Sequence, residues 1–136
     1  MTTTEGRLVA ERAASQKVML SFEGMEPSDK LLGLVRRLPV GGVTLFRHLN
    51  ISDPAQVRAL TSASQRAARE AGHPLLLIGA DQEGGQLMAV GEGATPFPGN
   101  LALGATRSVE LARQVGHAIG RELAAMGINV NYAPVC

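Results

Sequence analysis

The sequence predicts an α/β fold in which parallel strands alternate with helices. Four short segments rich in aliphatic and β-branched residues are predicted strands, and the segments between them carry helix start and stop signals. Strands joined by helices of this length pair in parallel through right-handed crossovers. The predicted order is a leading helix followed by β-α-β-α-β-loop-α-β.

The first part of the chain supplies two of these strands. Residues 5–15 are predicted to form the leading helix, and residues 18–22 (VMLSF) the first strand. Ser28 is a suitable N-cap for a helix that runs to residue 38, where a proline and two glycines stop it. The second strand is predicted at residues 42–46 (GVTLF).

The later part of the chain contains the two best-defined helices. Asp53-Pro54 predicts the start of the first, as an N-cap followed by proline at the first helical position. The last helix carries one apolar stripe at intervals of three and four residues, made of Ala112, Val115, Ile119, Leu123 and Met126. Gly116 and Gly120 are predicted to let this helix lie close against the sheet. Residues 128–132 (INVNY) are the fourth predicted strand.

The third predicted strand ends in a polar segment that is the first candidate for a site. Residues 75–80 (LLLIGA) form an apolar run without alternation, which predicts a strand covered on both faces. Asp81 follows it directly, and ligands of α/β proteins bind outside the carboxyl ends of the strands. The alternative is that Asp81 only caps a turn. The Gly/Pro-rich residues 81–100 then form a long loop of the kind that is commonly functional.

Asp81 and Glu83 could also form a carboxylate pair for acid/base chemistry. On an extended chain their Cα atoms would lie roughly 6–7 Å apart. That separation leaves an inverting, a retaining and a non-catalytic role open. An ionised carboxylate at a strand end accepts hydrogen bonds only, so it suits the binding of sugar hydroxyls.

Arg47 and His48 follow the second predicted strand, at the same edge of the predicted sheet. The guanidinium of Arg47 could bind an anion or a carboxylate. His48 is interpreted as a surface loop residue, with a catalytic role as the alternative.

Composition and spacing exclude several other functions. The net charge is +1 and the chain has no Trp, one Tyr and three Phe, so neither a basic patch nor a base-stacking platform for nucleic acid is expected. The glycines fit neither dinucleotide nor P-loop spacing, and no Gly-x-Ser-x-Gly elbow is present. The three dispersed histidines suggest no metal site, and no cofactor is expected. With no signal peptide, no apolar membrane span and one cysteine, we expect a cytoplasmic protein with no membrane partner.

The length fits one domain, with 136 residues. The chain stops at Cys136, four residues after the fourth predicted strand, and no helix follows to cover that strand. We therefore expect a fold that is cut.

Four segments together resemble one family. They are GGVTLF (41–46), PLLLIGADQEGG (74–85), TPFPGN (95–100) and GINVNYAPV (127–135). In this order and spacing they resemble the N-terminal barrel domain of glycoside hydrolase family 3, in particular its bacterial β-N-acetylhexosaminidases. The resemblance implies that residues 1–136 are a partial domain, the first half of a (β/α)8 TIM-type barrel truncated after its fourth strand.

The resemblance also implies a function for the intact protein. Family members hydrolyse β-linked terminal N-acetylhexosamine with retention through a covalent glycosyl-enzyme, in carbohydrate metabolism or cell-wall recycling. By this likeness Asp81 binds the hydroxyls of the carbohydrate substrate, while Glu83 of the same motif supports the loop. Gln86 and Arg47 are further candidates for supporting residues. The nucleophile and the acid/base segment lie downstream in the family, so no catalytic residue is expected here and the fragment alone should be inactive.

One departure from the family pattern leaves the substrate open. Many hexosaminidases carry arginines where this chain has Gln86 and Ala89. A β-glucosidase-type exo-glycosidase of the same family is therefore an alternative. Two alternatives of another class are an inert or weakly sugar-binding half-barrel and a small doubly wound binding domain that is complete in itself.

Overall fold

A computed structural model describes residues 3–135 of the chain. The helices are α1 (Thr3–Ser15), α2 (Asp29–Arg37), α3 (Arg47–Asn50), α4 (Pro54–Glu70), α5 (Asn100–Ala105) and α6 (Val109–Ala125). The strands are β1 (Met19–Leu20), β2 (Gly42–Thr44), β3 (Leu77–Ala80), β4 (Gln82–Gly84), β5 (Leu87–Met88) and β6 (Val130–Asn131). Among these helices, none combines the length and apolar character needed to cross a membrane.

The main sheet contains four parallel strands in the order β1-β2-β3-β6. The order follows the chain, and the strands are joined by helical crossovers, so the predicted α/β fold with parallel strands is confirmed. A doubly wound sheet would reverse its strand order at a switch point. No such reversal occurs within residues 3–135, which argues against the doubly wound alternative.

The core lies between this sheet and the helices on one of its faces. Val43 of β2 and Ile78 of β3 are buried there, together with Val35 of α2 and Leu60 of α4. Each large aliphatic side chain that is fully buried contributes about 1.5–3 kcal/mol to folding. This layer therefore fixes where the central strands β2 and β3 run.

The other face of the sheet, here called the inner face, is open in the described chain. Along the third strand segment it is formed by Leu75, Leu77, Gly79 and Asp81, of which only Gly79 is buried, beneath Tyr132. Leu75 is 58% and Leu77 50% exposed, whereas Ile78 is fully buried. The prediction that this apolar run is covered on both faces is thus wrong for residues 3–135. The reason is that the core forms between the sheet and the helices of its other face.

Local side-chain chemistry sets the predicted helix starts. The Ser28 hydroxyl accepts a hydrogen bond from the Leu31 N–H at 3.3 Å, and so caps α2 as predicted. The Asp53 carboxylate caps α4 and accepts from Gln56 N–H at 2.9 Å. The Gln56 N–H, together with the Ser52 hydroxyl and the Ala55 N–H, lowers the pKa of Asp53.

Three features of the second half differ from the sequence-based expectation. The loop over residues 81–100 contains an antiparallel hairpin, β4–β5, and is followed by the short helix α5, which was not predicted. Gly116 and Gly120 do not pack against the sheet, because a Cβ at either position would have no atom within 4 Å. The buried side of α6 is instead marked by Ile119 and Leu123, as its apolar stripe predicts.

We expect Gly42→Ala to destabilise the fold because the backbones of β2 and β3 approach closely at this position. An added Cβ would overlap the Leu77 carbonyl oxygen and lie 2.8 Å from its carbon. Overpacking of this kind costs about 1–3 kcal/mol, or more where backbone must move. Urea unfolding followed by circular dichroism measures the loss.

Gly33→Ala is the matched control for this change. Gly33 lies within α2, and a Cβ there would meet no atom within 4 Å. Alanine in a helix interior should stabilise this variant by up to about 1 kcal/mol. Equal unfolding midpoints for the two variants would contradict the close approach at Gly42.

Candidate functional site

The carboxyl ends of β2 and β3 bring the candidate site residues to one edge of the sheet. The register pairs Thr44 with Gly79, and the Leu45 N–H donates to the Gly79 carbonyl at 2.8 Å. The residues that follow are Phe46 and Arg47 after β2 and Asp81 after β3. We call the place where these three residues emerge the carboxyl edge.

Asp81 is half-buried at the carboxyl edge, and its carboxylate is free. Its backbone carbonyl accepts a hydrogen bond from the Ala89 N–H at 2.9 Å. Within residues 3–135 no hydrogen bond or ion pair engages its side chain. An unengaged carboxylate with a fixed backbone can accept hydrogen bonds from ligand hydroxyls.

The residue after Asp81 is clamped on both sides by side-chain amides. Gln82 is only 4% exposed, and its amide accepts from Val90 N–H at 2.9 Å and donates to Val90 carbonyl at 3.0 Å. The Asn131 amide accepts from Gln82 N–H and donates to Gln82 carbonyl, each at 3.0 Å. These four bonds fix Gln82, the residue that follows Asp81. They join it to Val90, just after the β4–β5 hairpin, and to Asn131 of β6.

Side-chain amides also fix the backbone at the beginning of β3. The Gln65 amide accepts from Leu76 N–H and donates to Leu76 carbonyl, each at 2.9 Å. The Asn129 amide accepts from Ile78 N–H at 2.7 Å and donates to Leu76 carbonyl at 3.0 Å. Sequence reasoning missed these positions, although two asparagines two residues apart within a predicted strand were a visible signal.

Glu83 is placed differently from Asp81. Its Oε2 accepts hydrogen bonds from Asn100 Nδ2 at 2.9 Å and from Val135 N–H at 3.1 Å. The carboxylate therefore joins the hairpin to the start of α5 and to the segment after β6. These bonds favour the predicted role of loop support, which stays a prediction, and they leave Asp81 as the unengaged carboxylate of the two.

Arg47, Gln86 and His48 lie on the surface. The Arg47 guanidinium passes beside Gly91, where an added Cβ would lie 2.5 Å from its Nη2. Gln86 is exposed at the tip of the β4–β5 hairpin, and His48 is exposed within α3 rather than in a loop. The structure thus brings Arg47 to the carboxyl edge with Asp81, while the support roles of Arg47 and Gln86 stay predictions.

A layer of side chains lies on the inner face just below Asp81. The Tyr132 phenol extends over Gly79, where an added Cβ would lie 2.5 Å from Tyr132 Cζ. Its hydroxyl is 3.0 Å from the Thr44 hydroxyl and donates to Met19 Sδ at 3.3 Å. Side chains from β1, from β2 and from the segment after β6 therefore meet above Gly79 of β3 and form a floor, which the sequence analysis did not assign to the site.

A separate cavity of about 610 Å³ lies beside α5, α6 and the end of β6. Glu83 and Asn100 line one side of it, and apolar side chains of α6 such as Val115 and Ile119 line another. Asp81 is not part of its lining. Among residues 3–135 no group of three His, Cys, Asp or Glu side chains could hold a metal ion.

A sheet of parallel strands in chain order, with crossover helices on one face and polar residues at its carboxyl edge, is the architecture of a section of an α/β-barrel enzyme. Residues 10–136 match the model of one such family, described as the glycosyl hydrolase family 3 N terminal domain. The chain therefore belongs to this family, as the four resembling segments predict.

Curated and solved relatives agree with this assignment. A beta-hexosaminidase A of Pseudoalteromonas piscicida is 37% identical over 98% of this chain and 26% of its own length. A beta-N-acetylglucosaminidase from a Paenibacillus species superposes with a TM-score of 0.86 at 44% identity, over 91% of this chain and 23% of the other. For a beta-N-acetylhexosaminidase from Beutenbergia cavernae the TM-score is 0.66 at 31% identity, over 91% and 37%. The chain thus spans about a quarter to a third of the length of these relatives.

We expect Gln82→Leu to destabilise the hairpin that follows Asp81. Leucine fills similar space but leaves the Val90 N–H and carbonyl without their buried partners. Each buried backbone group that loses its partner costs about 1–3 kcal/mol. Urea unfolding should show the loss, and exchange of the Val90 amide hydrogen should accelerate.

The matched control is Gln86→Leu at the exposed tip of the same hairpin. Surface substitutions of this kind change stability by about 0.5 kcal/mol or less. If Gln82→Leu is no more destabilising than Gln86→Leu, the amide clamp does not hold the hairpin.

Proposed function

We propose that the intact protein is a retaining β-N-acetylhexosaminidase that hydrolyses terminal β-linked N-acetylhexosamine. The observation that carries this proposal is the family match over residues 10–136, together with relatives that are beta-hexosaminidases. The free carboxylate of Asp81 at the carboxyl edge supports it, because barrel enzymes bind their substrates at this edge. A carbohydrate is the substrate class that the family implies.

In this proposal Asp81 binds the hydroxyls of the sugar at the cleavage site. A carboxylate accepts two or more O–H donors through charge-assisted bonds, which are about twice as strong as bonds between neutral groups. The clamp on Gln82 keeps the Asp81 backbone fixed, so little ordering is needed when the sugar arrives. A fixed acceptor positions the sugar for attack at its anomeric carbon.

The bond-making steps require groups that we place outside residues 1–136. Retention needs one carboxylate that forms the glycosyl-enzyme and a second group that acts first as acid and then as base. Glu83 is a poor candidate for either role, because Asn100 and Val135 already engage its Oε2. Asp81 is assigned to sugar binding and not to nucleophilic attack.

A β-glucosidase-type activity is the second candidate, because two residues depart from the family pattern. Ala89 is buried in the core, and Gln86 is exposed at the hairpin tip. Neither can offer a guanidinium to a sugar. Parallel assays of the intact protein on N-acetylglucosaminide and glucoside substrates decide between the two activities. We further propose a cytoplasmic enzyme that acts on cell-wall-type amino sugars, on the basis of the family resemblance.

We expect Asp81→Ala in the intact protein to lower kcat/KM for a chromogenic N-acetylglucosaminide by well over tenfold. The loss of charge-assisted bonds to two hydroxyls exceeds 1.4 kcal/mol, and each 1.4 kcal/mol corresponds to one decade. Glu92→Gln is the control, since Glu92 is an exposed carboxylate in the segment after the hairpin. An Asp81→Ala enzyme as active as the Glu92→Gln enzyme would refute the assignment.

The isolated chain of 136 residues should not turn over the same substrate. The physical reason is that it offers a binding carboxylate without the nucleophile and acid/base that retention requires. The same chromogenic assay at high protein concentration measures this. Steady turnover that disappears in the Asp81→Ala chain would show that the missing groups are present after all.

A further inference from the structure

Phe46 is an exposed aromatic side chain on a rigid part of the carboxyl edge. It is 41% exposed and does not belong to the core between sheet and helices. Its backbone is nevertheless fixed, because its N–H donates to Asn50 Oδ1 at 3.0 Å and its carbonyl accepts from Asn50 N–H at 2.9 Å. Asn50 itself is fully buried and donates to the carbonyls of Phe22 and Gly24. The ring is therefore presented from a fixed position.

Phe46 and Asp81 lie at equivalent positions just beyond the carboxyl ends of the neighbouring strands β2 and β3. Thr44 pairs with Gly79 in the β2–β3 register, and each of the two residues lies two positions further along its chain. The intervening residues are buried in the core, so alternation places both side chains on the inner face. Neighbouring strands are about 4.8 Å apart, and the two side chains therefore border the same space.

The floor of Tyr132 and Thr44 closes this space from below. The Tyr132 hydroxyl lies 3.0 Å from the Thr44 hydroxyl, and Thr44 is two residues before Phe46. The space thus has a polar floor, a free carboxylate on one side and an aromatic side chain on the other. A few polar groups beside an apolar wall are the usual lining of a small-molecule site.

We propose that Phe46 is the apolar wall of the sugar subsite, against which the pyranose ring lies while Asp81 binds its hydroxyls. The inference rests on the function proposed above and assigns a substrate-binding residue to it. A β-linked pyranose presents C–H groups on its faces and hydroxyls around its rim. The C–H groups match the negative face of an aromatic ring, and the rim matches a carboxylate.

The experiment uses the intact protein and compares Phe46→Leu, Phe46→Tyr and Leu75→Ala. For each we measure KM and kcat on a chromogenic N-acetylglucosaminide, Ki for free N-acetylglucosamine, and Tm. Leu75 is the control because it lies on the same inner face at the opposite edge of the sheet and is similarly exposed. Phe46→Tyr keeps the aromatic face, whereas Phe46→Leu removes it and stays apolar.

The expected result is a rise of about three- to tenfold in both KM and Ki for Phe46→Leu, the range that an aromatic contact supplies. Phe46→Tyr should stay within about twofold of the wild type, and Leu75→Ala should change Tm without changing Ki. If Phe46→Leu does not fold, Phe46→Met replaces it, because methionine is apolar, flexible and close in volume.

Three outcomes are distinguished. Unchanged Ki in Phe46→Leu and Phe46→Met, while Asp81→Ala loses activity, overturns the inference and leaves the proposed function standing. A wild-type protein without activity on N-acetylglucosaminides overturns the proposed function itself. A fall in Tm alone for the Phe46 variants shows that the ring packs against other parts of the protein, which also overturns the inference.

Discussion

The position of Asp81 depends on side-chain amides that form hydrogen bonds with backbone groups which no neighbouring strand pairs. β3 is only four residues long, and its parallel neighbours do not pair with every N–H and carbonyl of the strand segment. Gln65 and Asn129 engage the backbone before β3, and Asn131 and Gln82 engage the backbone beyond it. Since an unpaired buried backbone group costs about 1–3 kcal/mol, these amides hold the strand in register and fix the backbone on either side of Asp81.

The two faces of the sheet carry different kinds of side chain. The helix-covered face holds the aliphatic core. The inner face carries Leu75 and Leu77 near its amino edge and polar side chains near its carboxyl edge, such as Thr44, Tyr132 and Asp81. A site can be built on the inner face because the core on the other face already fixes the strands.

Periodicity and capping chemistry predicted the four parallel strands and the longer helices, but not the β4–β5 hairpin or the short helix α5. They also did not give the strand register, which decides which side chains meet. Ser28 and Asp53 were identifiable because capping is local, within three residues of the helix start. The four consecutive aliphatic residues 75–78 show no alternation in sequence, yet their burial alternates in the structure, because helices cover only one face of the sheet. Asp81 was predicted as a site residue from its place after a strand. Phe46 was not, because its relation to Asp81 depends on strand pairing that sequence spacing does not contain.

The motif around β4 shows how one short segment assigns two carboxylates to different tasks. Asp81 and Glu83 are two residues apart, yet the amide of Asn131 holds the residue between them. Glu83 meets the amide of Asn100 and the N–H of Val135, so its charge is used to join three segments of chain. Asp81 meets no such donor within residues 3–135 and keeps its acceptor capacity for a ligand. The proposed difference between binding by Asp81 and support by Glu83 thus rests on which donors the fold brings to each carboxylate, and not on residue type.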